Sequence, residues 1–92
     1  MPEIGKSCVV KNKMGLHARP AAKLVQAANK FSSCDVTFSK DGQDVNGKSI
    51  MGVLMLAAAR GTSIDVKADG EDAQACVDAI AALFERGFDE GV

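Results

Sequence analysis

Asp41 and Gly42 constrain this chain more than any other pair of neighbours. They follow a run in which Cys34, Val36 and Phe38 alternate with Asp35, Thr37 and Ser39, and they precede the short segment Gln43 to Asn46. A period of two puts the three apolar side chains on one face of a strand, and Asp-Gly supplies the left-handed backbone that a two-residue hairpin turn demands. An antiparallel hairpin therefore sits near the middle of the chain. Before it, Ala21, Leu24, Val25, Ala28 and Phe31 recur at helical spacing while Lys23, Gln26 and Lys30 take the opposite face, which predicts an amphipathic helix. Earlier still, Cys8 and Val10 alternate with Ser7 and Lys11 as a first strand. Beyond the hairpin, Ser49 precedes the apolar run Ile50 to Ala59, predicted as a second helix ended by Gly61. Ile64, Val66 and Ala68 alternate as a fourth strand, and Asp69 to Asp72 open a last helix that carries Ala73, Cys76, Val77, Ile80, Leu83 and Phe84 on one face and closes at Arg86 and Gly87. The order βαββαβα predicts an α+β domain, a mostly antiparallel sheet with helices on one face.

With 92 residues the chain is expected to be one domain spanning 1–92, because single cores rarely divide below about 250 residues. So small a core leaves little room for a deep cleft, and any chemistry belongs near the surface. Cys8, Cys34 and Cys76 are an odd number, widely spaced and without a histidine cluster. They are expected to be small core residues in a reducing compartment, with no metal site and no cofactor. No basic region followed by an apolar run opens the chain, and its longest apolar stretch is far short of the ~20 residues that span a bilayer, so a cytoplasmic monomer without a membrane span is expected. A net charge of −1 argues against nucleic acid as a partner. The distribution of charge is uneven: residues 1–30 carry six cations against one anion, and residues 31–92 carry five against eleven. Such a split suits a basic face turned toward an acidic protein.

The only histidine, His17, lies in Gly15-Leu16-His17-Ala18-Arg19-Pro20-Ala21, just before the first amphipathic run. Proline is tolerated in the first turn of a helix, so Pro20 places His17 near the N-cap. The N–H groups around Ala18 and Arg19 then point outward at the positive end of the helix dipole and favour an anion. The same end discourages protonation of the imidazole, which keeps a ring-nitrogen lone pair available as a nucleophile toward phosphorus. Arg19, with its planar fork of donors, suits the oxygens of a phosphoryl group in transfer. The competing reading of the same residues is a surface histidine that merely caps a helix.

This heptapeptide resembles the phosphorylation signature of HPr, the histidine-containing phosphocarriers of the bacterial phosphotransferase system. The resemblance runs from about Lys6 to Phe88 and includes Lys48-Ser49-Ile50-Met51-Gly52. It implies an open-faced β-sandwich, a four-stranded antiparallel sheet covered on one face by three helices. It also implies that His17 accepts, on Nδ1 and assisted by Arg19, a phosphoryl group that originates in phosphoenolpyruvate. The group would come from enzyme I and pass to an enzyme II A component, with the protein a carrier and not an enzyme.

Ser49 reads as an N-cap on hydrogen-bonding grounds alone. In many HPr proteins the matching serine is phosphorylated by a dedicated kinase, so the resemblance makes Ser49 a candidate regulatory site served by a serine kinase and phosphorylase. The second helix carries too many apolar residues for one buried face. Helical spacing turns Val53, Leu56 and Ala57 to the core and leaves Ile50, Met51, Leu54 and Met55 outward, a partner-binding patch that Lys23 would flank. Within the family, Lys48 to Met51 looks like the sugar-transport carrier, whereas the tail Ala82 to Glu90 looks like the nitrogen-related paralogue NPr. A small hydrolase of acylphosphatase type is the rival from another class.

Overall fold

The computed structural model describes residues 3–90. Strand β1 (Glu3–Val9) leads to helix α1 (Ala18–Asn29), the hairpin β2 (Cys34–Lys40) and β3 (Gln43–Asn46), helix α2 (Ile50–Met55), strand β4 (Ser63–Gly70) and helix α3 (Ala73–Glu85). The sheet order is β1-β4-β2-β3 and every pairing is antiparallel. Lys40 pairs with Gln43, so the hairpin loop is the dipeptide Asp41-Gly42, with φ of 50° and 83°. Both values are those the primed two-residue turn requires.

Alternation along each strand builds the two faces. Ile4, Ala68 and Val36 form one inward row, and Val66, Phe38 and Val45 form the next. Against them pack Leu24, Val25 and Ala28 of α1 and Cys76, Val77, Ile80 and Phe84 of α3, all buried. The opposite face is polar, with Asp35, Asp65, Lys67 and Asp69 among its residues. The result is the open-faced sandwich expected from the resemblance. All three cysteines are buried and free, and burial pushes the thiols of Cys8 and Cys76 up from the ordinary value.

Strand β1 begins at Glu3 and stops before Val10, and β4 runs on through Asp69 and Gly70, which pair with β1 and β2 and so leave Asp72 as the N-cap of α3. Three further features differ from expectation. Helix α2 ends at Met55, well before Gly61, because Ala57 takes a left-handed φ of 49° that stops the coil. That reversal turns Ala57 outward and buries Ala58 in its place, while Val53 and Leu56 face the core as their spacing predicts. Leu54 is half-buried and packs against the core, so it is only partly outward. The third difference lies beyond α3, where Gly87–Asp89 form a further turn that no periodicity announced. Gly87, Phe88 and Asp89 have φ of 58°, 58° and 61°, a left-handed conformation that costs an L-residue with a Cβ about 1–2 kcal/mol. Phe88 is fully buried and its ring meets Phe84 edge-on, with centroids 5.1 Å apart, which offsets part of that strain. No helix among the described residues is long and apolar enough to cross a membrane.

Candidate functional site

His17 is the N-cap residue of α1, in extended backbone, and its own side chain makes no capping bond. Ala21 N–H donates to His17 O at 3.0 Å and so begins the helical ladder. Pro20 has no N–H, and those of Ala18 and Arg19 have no backbone acceptor among the described residues. Two unpaired donors thus sit at the positive end of a twelve-residue helix, beside the imidazole. Arg19 is exposed and forms no salt bridge among the described residues, so its guanidinium is available to an incoming anion. No described group of histidine, cysteine or carboxylate side chains could hold a metal ion.

The loop that presents His17 is held by its glycine. Gly15 has a φ of 71°, and a Cβ there would lie 2.4 Å from the carbonyl oxygen of Ala58. Leu16 N–H donates to that same oxygen at 2.9 Å. The segment after α2 is therefore tied through its backbone to the loop before α1.

The imidazole is 40% exposed, open enough for an incoming group, and its far nitrogen is already engaged. His17 Nε2 lies 3.1 Å from Glu90 Oε1, and the same carboxylate oxygen accepts from Asn12 Nδ2 at 3.0 Å. Partial burial pulls the Glu90 carboxyl up. The hydrogen bonds from His17 and Asn12, with the charges of His17 and Arg19, outweigh that and hold it below the usual carboxylate range. Glu90 and Asn12 escaped the sequence reading. The available signal was Phe88 between Gly87 and Asp89, an apolar residue after the apparent end of the last helix, which marks a segment that folds back.

Ser49 caps α2 as its type predicts: its Oγ accepts from Gly52 N–H at 3.1 Å. Met51 and Ile50 are exposed, at 70% and 44%, and Met55 joins them at 64%. Lys23 is half-buried and its ammonium donates to Phe88 O, so it braces the C-terminal turn. Lys48 is half-buried and its ammonium donates to Phe31 O and Cys34 O.

An exposed histidine at an uncapped helix start, on an open-faced βαββαβα sandwich, defines a small phosphoryl-carrier domain. The profile for the PTS HPr component phosphorylation site matches residues 4–86, and the chain belongs to the HPr family of phosphocarriers of the bacterial phosphotransferase system. It is 54% identical over 82 residues to the phosphocarrier protein HPr of Xylella fastidiosa strain 9a5c, covering 89% of this chain and 91% of that one. It is 43% identical over 81 residues to the phosphocarrier protein NPr of Proteus mirabilis, covering 88% and 90%. The crystal structure of HPr-C-His from Thermoanaerobacter tengcongensis superimposes with a TM-score of 0.88 at 42% identity over the full length of both chains.

Proposed function

We propose that His17 is the phosphoryl acceptor, through Nδ1, and that Arg19 holds the phosphoryl oxygens. The single observation that carries this reading is the engagement of Nε2 by Glu90, which leaves Nδ1 as the unengaged ring nitrogen of a residue at the helix start, where the N–H groups of Ala18 and Arg19 are unpaired among the described residues. The Nδ1 lone pair attacks phosphorus. An N–P bond forms as the bond from phosphorus to the donor atom breaks, and that electron pair returns to the donor. The oxygens gain no net charge in the exchange but need fixed donors while charge is spread over them, which Arg19 and the two backbone groups supply.

The donor is enzyme I and the acceptor an enzyme II A component, in the cytoplasm, with this protein acting as a monomeric carrier and not as a catalyst. Ile50 and Met51 offer exposed apolar contact to both partners, with Leu54 beneath them and Lys23 steadying the adjoining turn. A water-activating group beside the ring would favour the hydrolase reading. Glu90, the carboxylate that meets the ring, instead has its Oε1 shared by His17 and Asn12. Phosphorylation of Ser49 by a serine kinase would place about two negative charges on the N-cap next to Ile50 and Met51, and would impede enzyme I by changing the charge of that surface and disrupting apolar contact. The sugar-transport branch is favoured over the nitrogen-related one by the higher identity to HPr than to NPr sequences.

The test is intact-mass analysis after incubation with phosphoenolpyruvate and enzyme I. Wild type is expected to gain one acid-labile phosphoryl group and His17→Ala none. A phosphoryl group retained by His17→Ala would refute the assignment.

A further inference from the structure

Asn12 is fully buried, yet it is polar and only partly satisfied. Its Nδ2 donates to Gly15 O at 2.7 Å and to Glu90 Oε1 at 3.0 Å, while its Oδ1 has no partner among the described residues. Both groups facing Nδ2 are acceptors, so the amide cannot be turned round to satisfy Oδ1 without losing both bonds. An apolar residue of similar size would avoid the unpaired acceptor, and the amide must therefore contribute something that outweighs it.

What it contributes is visible from the other end of the chain. Glu90 follows the left-handed turn Gly87–Asp89, which places a bulky residue, Phe88, in a conformation such residues rarely adopt. That turn is held at three points: Phe88 in the core, Lys23 on Phe88 O, and Arg86 Nε on Asp89 Oδ1 at 3.0 Å. Backbone strain of this kind persists only where the surroundings enforce it, and it gathers at functional sites. Its outcome is one carboxylate oxygen shared by Asn12 and His17.

We infer that Asn12 is a positioning residue: its buried amide clamps the Glu90 carboxylate against His17 Nε2, fixing the ring's orientation and keeping the proton on Nε2, so that Nδ1 presents its lone pair at the helix start. The inference rests on the reading of His17 as the phosphoryl acceptor. An ionised carboxylate only accepts, so the contact exists only with Nε2 protonated. When Nδ1 takes a phosphoryl group the ring gains positive character, and a carboxylate already seated at Nε2 balances it without rearrangement. Glu90 thus stands to His17 as a buried carboxylate stands to the imidazole of a hydrolase triad, by orienting the ring and stabilising its charged form. Gly15 O, the other acceptor on Asn12, belongs to the loop that carries His17, so one amide sets the carboxylate and the loop together.

The test compares wild type, Asn12→Leu and Glu90→Ala in two measurements. Long-range ¹H–¹⁵N correlation of the His17 ring at neutral pH reads tautomer and ring contacts without any phosphoryl transfer. Steady-state phosphorylation by enzyme I and phosphoenolpyruvate separates kcat from KM. Wild type is expected to show the Nε2–H form alone, and both variants a mixture with Nδ1–H, with kcat about tenfold lower and KM within about twofold of wild type. A folded Asn12→Leu with the wild-type ring spectrum and kcat would overturn the inference. If Asn12→Leu fails to fold, an unaltered ring spectrum and kcat in Glu90→Ala, which has no acceptor to offer, would overturn it equally. A ring spectrum that responds as expected in a wild-type protein that takes no phosphoryl group would instead sink the acceptor reading and leave the clamp standing.

Discussion

Two helix starts in this protein solve the same problem in opposite ways. At α2 the first-turn N–H of Gly52 is satisfied by Ser49 Oγ, and the end is closed by its own side chain. At α1 the residue in the equivalent place is His17, which caps nothing, and the N–H groups of Ala18 and Arg19 have no partner among the described residues. A side-chain cap is worth about 1 kcal/mol, so the open end forgoes stability that the closed end keeps. The difference teaches that only the unsatisfied end has donors to offer an outside group. The hydroxyl at the closed end is structural first, and any regulatory use is added to a cap that already works.

The largest contrast should come from the acceptors themselves. His17→Ala is expected to abolish phosphoryl uptake, while Ser49→Ala should take up the group at the wild-type rate, both read by intact mass over a time course. A Ser49→Ala protein that cannot be phosphorylated would erase the distinction between the two ends. Next, Arg19→Ala removes a donor from the open end and is expected to lower kcat with enzyme I about a hundredfold, in line with the loss of one preorganised charge-stabilising group. Ser49→Asp adds charge to the closed end and should lower kcat/KM about tenfold, mostly through KM, because it acts on docking and not on transfer. Smaller again is the effect of Ser49→Ala on stability, about 1 kcal/mol by urea unfolding, with no change in the m-value.

Acid should separate the two ends as well, because only the open one carries a titrating strap. The Glu90 carboxyl titrates below the usual carboxylate range in the folded protein, so its contribution is present above the unfolded value and is lost as pH falls through the lowered folded one. The stability difference between wild type and Glu90→Gln is expected to persist at neutral pH and to vanish in strong acid, followed by unfolding at stepped pH. No such step is expected for Ser49→Ala, since a hydroxyl does not titrate there.

Much of the fold was legible because its signals are local. Asp41-Gly42 needs no tertiary context to make a two-residue turn, and the alternation of Ile64, Val66 and Ala68 declares which face of β4 is inward. The end of α2 was not legible. Ile50 to Ala59 is apolar throughout and has no period to read, and the coil is broken at Ala57, a residue with high helix propensity, by the demand that Ala58 O meet Leu16 N–H and lie against Gly15. His17 and Arg19 were legible from the proline beside them, because a first-turn proline has few other places to be. Glu90 was not, because nothing between Phe84 and Glu90 repeats, and a left-handed turn at Phe88 contradicts the preference of every residue in it except glycine.

By itself, then, the order of residues determined the succession of seven elements, the inward faces of the strands and the place of His17 at the head of α1, since each follows from periodicity, turn chemistry or the missing N–H of a proline. Tertiary structure alone decided which residues complete the site. Asn12 and Glu90 lie 78 positions apart and meet only because Phe88 finds the core and pulls its neighbours back across the sheet end. Burial of one aromatic ring is a property of the packed whole, and no window along the chain contains it.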